Sequence, residues 1–124
     1  MLRSLSIALV LTGVMLSASA TTADAHPKLV KTDPPADTTT ATSPKELRLS
    51  FNEELVAKFS GVEVTDDKKK KIEIGATAPD PSDKKQLVAV LPKPLAEGVY
   101  KVNWHAVGSD THRVQGSYSF TIKR

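Results

Sequence analysis

Cysteine is absent from all 124 residues, so neither a disulfide nor a thiolate centre is available to this chain. Methionine occurs only at Met1 and Met15, which leaves residues 26–124 without any sulfur ligand. No glycine-rich phosphate loop, Ser/His/Asp spacing or Cys/His cluster is present, and the common catalytic signatures are missing with them. No internal repeat appears. The formal net charge of +3 is modest and interspersed, which argues against nucleic acid as a partner. Only one extended apolar run exists, Leu5 to Leu16, interrupted by Ser6, Thr12 and Gly13. A membrane span takes about 20 apolar residues, so this run is too short for one.

The flanks of that run give it a meaning. Arg3 precedes it, and small residues lead from it to Ala23 and Ala25, which occupy the −3 and −1 positions of a signal-peptidase site. A basic start, a short apolar centre and a small-residue exit make residues 1–25 a cleaved secretory signal peptide, preferred over a retained anchor. One arginine does not make a twin-arginine signal, so export through the Sec pathway is expected. Residues 26–124 then form one small domain, and His26 becomes its first residue. The charge survives cleavage, because Arg3 and Asp24 cancel.

Beyond His26 the sequence runs in short alternating segments separated by turn residues. "ELRLSF" sets Leu47, Leu49 and Phe51 against Glu46, Arg48 and Ser50. "GVEVT" and "KIEIGA" repeat the alternation on either side of a polar hairpin tip, "DDKKKK", whose lysines are solvated or, less simply, a patch for an acidic partner. "QLVAVL" is nearly continuous and suits a central strand. "VYKVNWHAV" and "VQGSYSFTI" send Tyr100, Val102, Trp104 and Ala106, then Val114, Tyr118, Phe120 and Ile122, to one face. With a first strand near Lys28–Thr32, about seven strands are expected, forming an all-β, immunoglobulin-like Greek-key sandwich. "EELVAKF" offers at most a turn or two of helix. "DPPADTTTATSP" (33–44) reads as a surface connection.

Three histidines remain after cleavage: His26, His105 and His112. Cleavage gives His26 an α-amine beside its imidazole, and the two nitrogens can close a six-membered chelate on one metal ion. An α-amine has a pKa of about 7.7–8.0, so a metal displaces its proton at neutral pH. Amine and imidazole nitrogens suit Cu(II), the tightest binder among divalent first-row ions. Pro27 has no amide proton to lose, so the metal cannot continue along the backbone and must find ligands elsewhere. Asp110 and His112 in "SDTHRVQG" supply a carboxylate and an imidazole two residues apart, on one side of an extended segment. Against this, Asp110 is read as a turn residue, His112 as solvent-facing and His26 as a by-product of processing. Alternation sends His105 away from the core, where a surface role is expected.

The mature start "HPKLVKTDPPAD", the segment "LRLSFNEEL" and the ending "GVYKVNWHAVGSDTHRVQGSYSFTI" together resemble the CopC family of periplasmic copper-binding proteins. The resemblance implies a seven-stranded β-barrel-like sandwich that binds copper near one end. It puts the Cu(II) ligands on His26, Asp110 and His112. It puts on Glu53, with Glu54 adjacent, a carboxylate that steers the N-terminal amine or histidine without touching the metal. Some members add a methionine-rich Cu(I) loop, which residues 26–124 cannot supply, so the Cu(II)-only type is implied. One Cu(II) per monomer, a periplasmic location and an inner-membrane CopD-like transporter as recipient follow from the same resemblance. The leading expectation is a copper carrier or buffer in copper resistance and not an enzyme. Two other readings stand beside it: a histidine-brace oxidase or monooxygenase, and a metal-free secreted interaction module.

Overall fold

Alternation of apolar and polar residues, the signal that dominates the sequence, becomes the inner and outer faces of two sheets. The computed structural model describes residues 26–124; the expected signal peptide, 1–25, lies outside the described residues. The strands are β1 (Leu29–Asp33), β2 (Thr39–Thr40), β3 (Glu46–Phe51), β4 (Gly61–Thr65), β5 (Thr77–Asp80), β6 (Asp83–Val90), β7 (Gly98–Val107) and β8 (Arg113–Ile122). One sheet has the order β1-β3-β6-β5 and the other β2-β8-β7-β4. All pairings are antiparallel except β2 with β8. The result is a Greek-key β-sandwich, as the alternation predicts.

The core is the inward half of each strand. Leu47, Leu49 and Phe51 of β3, Leu87 and Ala89 of β6, Val102, Trp104 and Ala106 of β7 and Phe120 and Ile122 of β8 are all buried. Phe51 and Trp104 meet across the two sheets edge to face, with centroids 5.2 Å apart, and Tyr100 stacks on Phe120 at 5.7 Å. Such aromatic pairs contribute about 0.5–1.5 kcal/mol beyond their buried area. The indole also dictates its neighbour. Gly116 is its cross-strand partner, and a β-carbon there would lie 2.6 Å from Trp104 Cζ2. Gly116→Ala is therefore expected to lower stability by about 1–3 kcal/mol through overpacking. Urea unfolding measures this, and an unchanged midpoint would show that the indole moves aside freely.

Two segments depart from the periodic reading. "KIEIGA" is not a strand: it makes a single bridge, Thr65 to Lys71, and Ile72 and Ile74 are only partly buried against the core. The chain here must leave the β4 sheet and enter the β5 sheet, so its two isoleucines cap the core from a crossover. The next strand, β5, holds a proline, Pro79, and runs along the sheet edge, where a missing N–H is tolerated. Thr39–Thr40, inside the expected surface connection, add a two-residue parallel strand to β8.

"EELVAKF" gives one 3-10 turn, Ala57–Phe59. That turn is fastened to the end of β7. The Val56 N–H donates to Val107 O (2.8 Å), and the buried Ser60 hydroxyl accepts the Val107 N–H (3.1 Å) while donating to Val56 O (2.9 Å). The start of β1, the end of β3, the 3-10 turn and the β7–β8 connection thus share one end of the sandwich. Among the described residues no helix is long and apolar enough to cross a membrane.

Candidate metal centre

The connection from β7 to β8, residues 108–112, carries two of the expected ligands, and it is a turn, not an extended segment. Thr111 takes a left-handed conformation (φ 67°), with its N–H donating to Gly108 O at 3.0 Å. The expectation that Asp110 and His112 converge by strand alternation is thus corrected: the turn at Thr111 brings them together. Asp110 closes it in the manner of an Asx turn, Oδ1 accepting the His112 N–H at 3.1 Å. The other carboxylate oxygen, Oδ2, lies 3.2 Å from His112 Nδ1 and 3.0 Å from His26 Nδ1. The two imidazoles meet edge to face with centroids 4.9 Å apart.

One donor atom from each of His26, Asp110 and His112 lies within 4.8 Å of the others, the only such group of three or more metal-binding side chains among the described residues. Residues 26 and 112, far apart in the chain, are joined here because β1 and the β7–β8 turn reach the same end. The Asp110 side chain is 17% exposed, that of His26 50% and that of His112 70%. The carboxylate is thus the floor and the imidazoles the rim. Burial pushes the Asp110 carboxyl upward, but hydrogen bonds from the His112 backbone and ring and the nearby His26 outweigh it, leaving the group below the usual carboxylate range. A carboxylate ionised at neutral pH and flanked by two imidazole nitrogens is a donor set for a borderline divalent cation.

The structure also separates the two glutamates of "SFNEEL". β3 ends at Phe51, so strand alternation does not govern residues 52–55. Glu54 is exposed, whereas Glu53 turns inward and its Oε1 is buried with no hydrogen-bond partner among the described residues. That oxygen occupies the space that a side chain on Gly108 would fill, beside Pro27. Buried carboxylate oxygens are ordinarily paired, and no described residue pairs this one. Asn52, absent from the sequence-based candidates, holds the same segment: its Oδ1 accepts the Lys28 N–H at 2.7 Å. No sequence signal singles it out, since an Asn after a strand is ordinarily a turn residue.

His105 lies apart from this group. It points outward from β7, its ring packed where a Gly61 side chain would stand, with Cε1 2.8 Å from the position of a β-carbon. Burial and, after it, the charge of Arg113 both lower its pKa, which favours the neutral ring. Trp104 and Tyr100 are core residues, as their strand positions predict.

The sandwich as a whole has relatives. The model of the CopC domain matches residues 29–123. The chain belongs to the CopC family. Copper resistance protein C of Xanthomonas campestris pv. juglandis is 39% identical over 123 residues, covering 95% of this chain and 96% of that one. The crystal structure of PcoC, a methionine-rich copper resistance protein from Escherichia coli, superposes with a TM-score of 0.73 at 38% identity, covering 80% of this chain and 100% of that one. The structure of CopC from Methylosinus trichosporium OB3b gives a TM-score of 0.73 at 31% identity, over 79% of this chain and 94% of that one. The chain is thus a copper-handling CopC protein. It departs from the methionine-rich relative in having no methionine after Met15.

Proposed function

We propose that this CopC protein is a periplasmic Cu(II) carrier or buffer whose single ion is held by the α-amine and imidazole of His26 together with Asp110 and His112. The observation that carries the reading is the convergence of His26 Nδ1 and His112 Nδ1 on one Asp110 oxygen, at 3.0 and 3.2 Å. Nδ1 is the imidazole nitrogen that closes a six-membered chelate with the α-amine. It is also the one that His26 turns toward the cluster. Signal cleavage after Ala25 creates that amine, and the buried, unpartnered Glu53 oxygen next to Pro27 supplies an acceptor to orient it. Nitrogen and oxygen donors with no sulfur favour Cu(II) over Cu(I).

The half-exposed imidazole rim suits a site that must give its ion up again. A recipient's ligands can approach His26 and His112 from solvent while Asp110 stays seated. An inner-membrane CopD-like transporter is the recipient that the family resemblance implies, with the carrier acting as a monomer. The test is a Cu(II) titration of protein beginning at His26, monitored by EPR and by competition with a chelator of known affinity. One equivalent with a tetragonal nitrogen–oxygen spectrum is expected, and His112→Ala should change that spectrum. A spectrum indifferent to His112→Ala would sink the proposed ligand set.

A further inference from the structure

We infer that Asn52 and Gly108 are positioning residues of the metal centre: they seat the N-terminal segment so that its histidine meets Asp110 and His112. The inference rests on the Cu(II) reading above and adds to it the means by which a chain end is held still. A ligand at a terminus is otherwise the least constrained residue of a domain. Pro27 has no N–H, so Lys28 carries the first amide after the histidine that can tie the segment down.

Asn52 supplies that tie. Its side-chain Oδ1 accepts the Lys28 N–H at 2.7 Å, and its own N–H donates to Lys28 O at 3.1 Å. The second bond needs only a backbone and continues the β1–β3 pairing past Leu29 and Phe51. The first needs a short side chain ending in an acceptor. Together they form a two-bond clasp two residues from the histidine.

Gly108 supplies the space. It is buried at the end of β7, where its carbonyl begins the turn carrying Asp110 and His112. A β-carbon on it would overlap Glu53 Oε1, lie 3.0 Å from Glu53 Cδ and stand 3.3 Å from Pro27 Cδ. Its φ is not in the left-handed region, so room and not backbone freedom calls for glycine here. The ligand turn, the Glu53 carboxylate and the N-terminal segment therefore meet in the volume of one missing methyl group.

The test uses protein beginning at His26. Gly108→Ala should weaken Cu(II) binding by about 10–100-fold, the usual effect of disturbing an orienting partner. Glu53→Ala should weaken it too. Combined, the two should bind no more weakly than Glu53→Ala alone, because truncating residue 53 clears the space for the new methyl group once Pro27 shifts by a few tenths of an ångström. Additive losses would overturn the role of Gly108. Should Gly108→Ala fail to fold by far-UV circular dichroism, rescue of folding by Glu53→Ala supports the same seat, and failure of rescue overturns it. For the clasp, Asn52→Ala should speed Cu(II) release about tenfold or more with an unaltered EPR spectrum at saturation. Asn52→Asp, which keeps the acceptor, should restore slow release, and equal loss in both would overturn the clasp. If the unsubstituted protein itself does not bind Cu(II) tightly, the reading of function fails, and that result is distinguishable from failure of the seat.

Discussion

Adding one residue before His26 is expected to weaken Cu(II) binding more than any side-chain substitution outside the ligand set. The extension leaves every described side chain in place but turns the α-amine into an amide, whose nitrogen binds only where Cu(II) displaces its proton. It thus removes one ligand and breaks the chelate ring that includes the His26 imidazole. A partner that merely orients a ligand is worth about 10–100-fold in affinity, so loss of a ligand should exceed about 100-fold. That corresponds to more than about 2.8 kcal/mol at 1.4 kcal/mol per tenfold. The measurement is a competitive titration of the protein starting at His26 against one carrying an additional alanine. Apo stability should differ little, since the residue is added outside the folded core. Equal affinities with an unchanged EPR spectrum would mean that the amine takes no part, and the chelate reading would fall.

The sandwich is legible in the sequence because its core strands alternate strictly. Leu47–Phe51, Tyr100–Ala106 and Tyr118–Ile122 all bury the residues their period assigns. Legibility ends where alternation serves another purpose. Ile72 and Ile74 alternate with Glu73 but cap the core from a crossover, and a period alone does not distinguish a capping segment from a paired strand. β5 is hidden for the opposite reason: Pro79 and its polar neighbours look like a loop, and only the position at the sheet edge makes a strand of them. At the candidate metal centre, residue types and the expected processing of the terminus name the candidates, yet the route to convergence is a turn and not an extended strand. Thr111 in the left-handed region leaves no mark in the sequence, because Thr is not a residue that favours it. Asn52 and Gly108 are invisible there because their roles depend on which chain segment lies opposite them.

Replacing Asp110 by Asn should separate the two contributions of the carboxylate, its charge and its shape. The amide keeps an oxygen that can accept the His112 N–H, so the turn at Thr111 should persist. The negative charge between the two imidazoles is lost, and with it the strongest oxygen donor of the cluster. Cu(II) affinity should fall by more than about 100-fold, again beyond the range of an orienting partner. The pH dependence gives an independent check on the assignment. The carboxyl of Asp110 lies below its ordinary value, so it is already ionised at neutral pH and releases no proton when a metal arrives. The proton displaced at neutral pH comes from the α-amine, whose ordinary pKa is about 7.7–8.0. Affinity should therefore rise with pH between about 6 and 8 in the unsubstituted protein. Asp110→Asn should lower the whole curve without changing its slope. Apo stability responds to the same carboxyl only in acid: depressed on folding, it stabilises the fold above its unfolded pKa and loses that contribution as pH falls through the folded one. A slope that changes in Asp110→Asn would mean that the carboxylate, and not the nitrogen ligands, exchanges protons with the metal, and the donor roles would have to be reassigned.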